Sequence, residues 1–239
     1  MGTEPEIAMD TSSSCLTGDR FDLAAIASAL HGLRYHMDRV NLELDNHHPR
    51  LNRDSVNQIV QAYSMIDHYL ATGLPLLSMG QSREVLAVNH CVLFGQENAL
   101  NPDYHKAFKA SERHFYGIAG SGIGDMLDWY SSRREQPVWQ LAAGIYLQTI
   151  GPPQLFLEGN HRTGVILANY VLARAHQSPL VIDHQLAPIW FELTEKVRSR
   201  RRSLLEPKFW LRSLHGELAE FIQNHVNERY LRRSPIPGK

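Results

Sequence analysis

An all-α domain is the fold class that this sequence predicts. Apolar residues recur at three- and four-residue spacing along most of the chain, which gathers them on one face of a helix. Nowhere do they alternate with polar residues over the roughly four to eight positions that a half-buried strand needs. Glycine and proline gather between the periodic stretches, as at Gly151-Pro152-Pro153, where a helix cannot continue.

Residues 1–18, with Thr11-Ser12-Ser13-Ser14 and few apolar side chains, read as a disordered leader. The first helical stripe is Leu23, Ile26, Ala27, Leu30 and Met37. The second runs Val56, Ile59, Val60, Tyr63, Ile66 and Leu70, stopping at Gly73 and Pro75, and a third covers roughly 83–93. After Asn101-Pro102 the spacing resumes from Tyr104 to Phe115. Gly117, Gly120, Gly122 and Gly124 then mark a loop before a short helix near 125–131. Pro137 suits a first helical position ahead of Val138, Leu141, Ala142, Ile145 and Thr149. The stretch from Val165 to Ala175 is apolar at nearly every position, so it predicts a central helix. Two more helices are expected near 188–199 and 209–229. The predicted organisation is a leader at 1–18, one helical domain at 19–230 and a flexible tail at 231–239.

Composition narrows the function classes. The chain has 239 residues, 43% hydrophobic, with a formal net charge of -1, which gives no global pull toward nucleic acid or anionic membrane. Its apolar runs are far shorter than the ~20 residues that span a bilayer, and Met1 to Thr17 lack a secretory pattern. The expectation is a cytoplasmic protein with no nucleic-acid and no membrane partner, with export through the leader left open. Cys15 and Cys91 read as free thiols. The histidines show no metal-site spacing. Gly120-Ser121-Gly122-Ile123-Gly124 reads as a turn, the run Arg198 to Arg202 as a solvated helix end, and Trp190, Phe191, Phe209 and Trp210 as packing.

The chemistry concentrates in Gln154-Leu155-Phe156-Leu157-Glu158-Gly159-Asn160-His161-Arg162-Thr163-Gly164, a loop that enters a helix. The first backbone N–H groups of a helix lack internal partners and lie at its positive end, which suits phosphate. Arg162 offers a two-pronged contact to phosphate oxygens. Glu158 suits Mg²⁺, which takes one or two carboxylates beside phosphate oxygens and water. The same residues also read as an ordinary capped helix, with Asn160 as the cap and Arg162 solvated.

The segment resembles the Fic (Fido) signature, His-Pro-Phe-x-Asp/Glu-Gly-Asn-Gly-Arg-x-x-Arg, with Phe156, Glu158, Gly159, Asn160 and Arg162 matching. The apolar helices on either side and the ending Ser178-Pro179-Leu180-Val181-Ile182 extend the resemblance over roughly 85–225. It implies a helical bundle with the loop between two central helices, and transfer of AMP from ATP to a hydroxyl of a target protein. On this resemblance Glu158 is the Mg²⁺ ligand and Phe156 a buried anchor. Gly159, Asn160, His161, Arg162, Thr163 and Gly164 form the nucleotide- and phosphate-binding turn.

The departures bear on activity. The family's catalytic histidine falls on Gln154, whose amide has no accessible pKa and cannot serve as a base; that help is typically worth about 10²–10⁴ in rate. The second arginine falls on Val165, the second glycine on His161 and the proline on Leu155. Tyr116 to Gly124 is too short and glycine-rich for the family's target-aligning flap. His161 is a candidate substitute base, held neutral by the positive helix end. Three readings stay open: a degenerate Fic protein that binds Mg²⁺-nucleotide or phosphate, an active divergent transferase using Glu158, Asn160, Arg162 and His161, and a scaffold that binds nothing.

Overall fold

The computed structural model describes residues 19–96, 102–117, 122–199 and 207–233. The expected leader, the tail beyond Arg233, residues 118–121 of the glycine-rich loop and most of the arginine run lie outside them. Among the described residues the chain is built from helices α1 (Leu23–Leu42), α2 (Arg53–Ala71), α3 (Ser82–Phe94), α4 (Pro102–Gly117), α5 (Ile123–Ser131), α6 (Val138–Ile150), α7 (Asn160–Arg174), α8 (Ala187–Ser199) and α9 (Pro207–His225). No helix among these residues is long and apolar enough to cross a membrane.

Local chemistry starts these helices. The Asp22 carboxylate accepts from the Ala25 N–H at 2.9 Å and the Asn52 side chain accepts from the Ser55 N–H at 2.6 Å, each satisfying a donor the helix cannot. Pro137 lies one position earlier than expected, as the cap of α6 rather than its first residue. Helix α7 begins at Asn160, so Gly159 and not Asn160 occupies the cap position.

The two central helices are α6 and α7, which pack on each other more extensively than any other pair. Residues 141–147 of α6 and 166–173 of α7 are buried without interruption, the burial that all-round apolar sequence demands. Gly164 permits the close approach, because a methyl group there would meet Tyr146 Cδ2 at 2.9 Å. Asn169, fully buried on α7, donates to the Tyr63 hydroxyl (2.7 Å) and the Leu180 carbonyl (2.8 Å) and accepts from the Leu180 N–H (2.8 Å). One amide thereby ties α7 to α2 and to the segment before α8.

A two-stranded antiparallel clasp was not expected. Arg20–Phe21 (β1) pairs with Leu231–Arg232 (β2), with Phe21 opposite Leu231. Strands of two residues are too short to show alternation, so 231–232 read as tail. Asp67 of α2 holds the clasp by accepting from Arg20 Nε at 2.7 Å and the Phe21 N–H at 2.9 Å. The last predicted helix likewise stops at His225 and a 3₁₀ turn, Glu228–Tyr230, replaces its end.

Histidine burial gives the fold an acid liability. His90 of α3 is 3% exposed and packs on Phe108 at 4.3 Å, and burial pushes its pKa from 6.5 down to about 4. The unfolded chain therefore takes up this proton first. The stability is full above about pH 6.5 and falls as pH drops toward about 4, by roughly 3 kcal/mol. Urea denaturation at about pH 7 and about pH 4.5 should show this loss in the wild type and a smaller one in His90→Gln. An identical pH dependence in the two proteins would refute the assignment.

Candidate functional site

The loop between α6 and α7 is a rigid turn held from three directions. It leaves Gly151 through Pro152 and Pro153, and the Leu155 N–H then reaches back to the Thr149 carbonyl at 3.1 Å. Leu155 and Phe156 are buried, and the Phe156 ring stacks on Phe115 of α4 with centroids 5.4 Å apart and planes 6° from parallel. Phe156 is thus the anchor that the sequence indicated. The Asn160 amide closes the turn: its oxygen accepts from the Phe156 N–H at 2.9 Å and its nitrogen donates to the Phe156 carbonyl at 2.8 Å. Gly159 sits in the left-handed region (φ 75°), where a methyl group would come within 3.0 Å of Asn89 Nδ2 and 3.1 Å of Leu93 Cδ2. Only glycine meets both demands.

Asn89 of α3 is the third restraint. Its amide nitrogen donates to the Glu158 carbonyl at 2.9 Å and to Thr163 Oγ1 at 3.0 Å. The six residues expected to form a phosphate-binding turn therefore divide by what their side chains do. Asn160 and Thr163 are buried in the loop's own hydrogen bonds, and Gly159 and Gly164 provide close packing. His161 and Arg162 present their side chains on the far side of the turn, where both line a cavity. The cap residue of α7, Gly159, has no side chain to cap the helix, and the N-terminus of a helix is its positive end.

The charged and titratable groups are placed as follows. The Glu158 side chain is exposed, and its charge acts on Arg162. Arg162 is half-buried and its Nη1 donates to the Val92 carbonyl of α3 at 3.3 Å. Burial lowers its pKa, which the Glu158 charge opposes. His161 Nδ1 lies 2.8 Å from the Tyr146 hydroxyl. Burial raises the Tyr146 pKa well above the usual value, so the phenol stays protonated, and it shares one hydrogen with His161 Nδ1 in a bond whose direction follows the imidazole tautomer.

Gln154 is half-buried and contributes its backbone: the carbonyl lies 3.0 Å from His114 Nε2 of α4. A carbonyl can only accept, so Nε2 donates the hydrogen. An imidazole from 40 positions upstream is thus fastened to the backbone of Gln154. Local sequence carries no signal for such a contact.

Two cavities flank the turn and share no lining residue. One, of about 390 Å³, is bounded by His114, Pro152, Pro153, Gln154, Phe156 and Leu157. The other, of about 340 Å³, lies beside His161, Arg162 and Val165 and runs between α1, α2, α7 and α8. Among the described residues no group of three or more His, Cys, Asp or Glu side chains converges to hold a metal. A single exposed carboxylate at Glu158 fits Mg²⁺ only as one ligand of an ion that already carries phosphate oxygens and water. No protein-family model, no curated protein and no solved structure matches this chain.

Proposed function

We propose that the protein is a degenerate Fic-type domain that binds a nucleotide or another phosphate ester at the α6–α7 turn and has lost the typical AMP transfer. The observation that supports it is the glycine-capped start of α7, locked in position by Asn160 and Asn89 and flanked by Arg162 and Glu158. Arg162 and the α7 N–H groups hold phosphate oxygens, and Glu158 takes one position on Mg²⁺ brought in with them. Mg²⁺ would supply charge neutralisation at the phosphates. Gln154 cannot take the proton of an attacking hydroxyl, so the bound phosphate ester is held without being transferred.

Calorimetry with ATP and Mg²⁺ tests this. Binding is expected in the wild type, weakened by roughly tenfold or more in Arg162→Ala. In Glu158→Ala, only the Mg²⁺-dependent part should disappear. No heat with any nucleotide would leave the turn as a helix start and nothing more. A second reading, a divergent transferase, is favoured by His114, an imidazole fastened to the loop at the Gln154 carbonyl. Incubating the protein with labelled ATP and a cell lysate decides between them. Labelling that persists in Gln154→Ala and disappears in His114→Ala selects the transferase, and no labelling selects the binding protein.

A further inference from the structure

The cavity beside Arg162 carries information that the turn alone does not. Its volume of about 340 Å³ falls in the range of sites that take small molecules, about 300–1,000 Å³. Its wall is drawn from separate segments and is apolar almost throughout, with Leu33, Met37, Ile59, Val165, Ile182 and Trp190 among its residues. Interiors are otherwise packed to crystal density, and side chains that face a void forgo dispersion contacts. A space of this size, lined mostly by apolar side chains and open to the surface, is therefore a place for an apolar body.

The polar groups of the lining are few. They are His48, His161, Arg162, Thr194 and Glu195, with the Tyr63 hydroxyl engaged by Asn169. His48 stacks on Phe191 with centroids 4.2 Å apart, and Glu195 is itself partnered. Arg162 differs from these. Its guanidinium has five N–H donors and is half-buried, yet among the described residues it makes one hydrogen bond, to Val92. A desolvated guanidinium with donors to spare is compensated best by a carboxylate or phosphate. The positive end of α7 adds to the same field. The Glu158 charge near Arg162 opposes it from an exposed position, where solvent weakens the effect.

We infer that this cavity binds a small amphipathic anion, with a medium-chain apolar body between α1, α2, α7 and α8 and its phosphate or carboxylate head on Arg162. The inference deepens the proposed phosphate site, since the head rests on the reading that Arg162 meets an anion. It also gives Val165 a role: an apolar side chain at this position keeps the cavity wall continuous where a second cation would break it.

Titration calorimetry on the full chain, with tryptophan fluorescence as a second readout, tests it using decyl phosphate, decanoate, decanol, decylamine and ATP with Mg²⁺. Decyl phosphate and decanoate should bind, and the tighter of the two identifies the head group. Arg162→Met should weaken both by roughly tenfold or more and leave the weaker binding of decanol unchanged. Val165→Trp and Ile59→Phe, which fill the cavity from two different helices, should abolish binding of the decyl compounds while leaving ATP binding intact. Circular dichroism confirms that each variant is folded, and either one suffices. Absence of decyl-anion binding to the wild type, binding that survives both filling variants, or a preference for decylamine overturns the inference. Decyl-anion binding without ATP binding would instead sink the nucleotide reading and leave the cavity assignment standing.

Discussion

Asn160→Ala is expected to lower the unfolding free energy by roughly 4 kcal/mol, because it orphans two buried backbone groups at about 1–3 kcal/mol each. The Phe156 N–H and carbonyl both depend on this one amide, at 2.9 Å and 2.8 Å, and Phe156 is 1% exposed, so water does not replace it. Asn160→Asp should be nearly as damaging, since a carboxylate oxygen would then face the Phe156 carbonyl. Urea denaturation with an unchanged slope measures the loss. The same variant should weaken ATP binding although the Asn160 side chain is turned into the loop, because the start of α7 loses its fixed position relative to Glu158. A stability change below about 1 kcal/mol would show that the turn holds itself by other means.

Asn169→Leu should be still more severe. Leucine is also larger than asparagine, so crowding in this fully buried site adds to the lost hydrogen bonds. The Leu180 N–H and carbonyl and the Tyr63 hydroxyl all lose their partner in a site that is fully buried. The expected loss is roughly 5 kcal/mol, comparable with the whole stability of a marginal domain. The yield of folded protein and its near-ultraviolet circular dichroism should collapse. Tyr63→Phe provides the scale: it removes one acceptor and leaves the Leu180 pair intact, so about 1 kcal/mol is expected. Equal effects from the two substitutions would mean that the Leu180 bonds contribute nothing.

These two asparagines also mark how far the sequence could be read. The helices were legible because their information is local: apolar residues at three- and four-residue spacing, bounded by glycine and proline. The central place of α7 followed from its apolar residues at nearly every position, and the anchoring of Phe156 from the resemblance. Asn160 was legible as important but not in its role. After Gly159 and before a helix, the sequence is equally that of a cap and of a phosphate ligand, while the amide turns back four residues to close the loop. His114, the cavity and the clasp were hidden for a different reason. Each is made by residues far apart in the chain, such as Gln154 with His114 or Arg20 with Arg232, and no periodicity encodes such pairs.

The clasp has a mechanical consequence. Arg20 pairs with Arg232 and Phe21 with Leu231, so the chain enters and leaves the described fold side by side at the open end of the ladder. Tension applied through the two ends would peel this ladder apart one pair at a time instead of shearing all its bonds together. Asp67, which grips Arg20 and the Phe21 amide from α2, is then the first point where a pull on the outer chain reaches the helical interior.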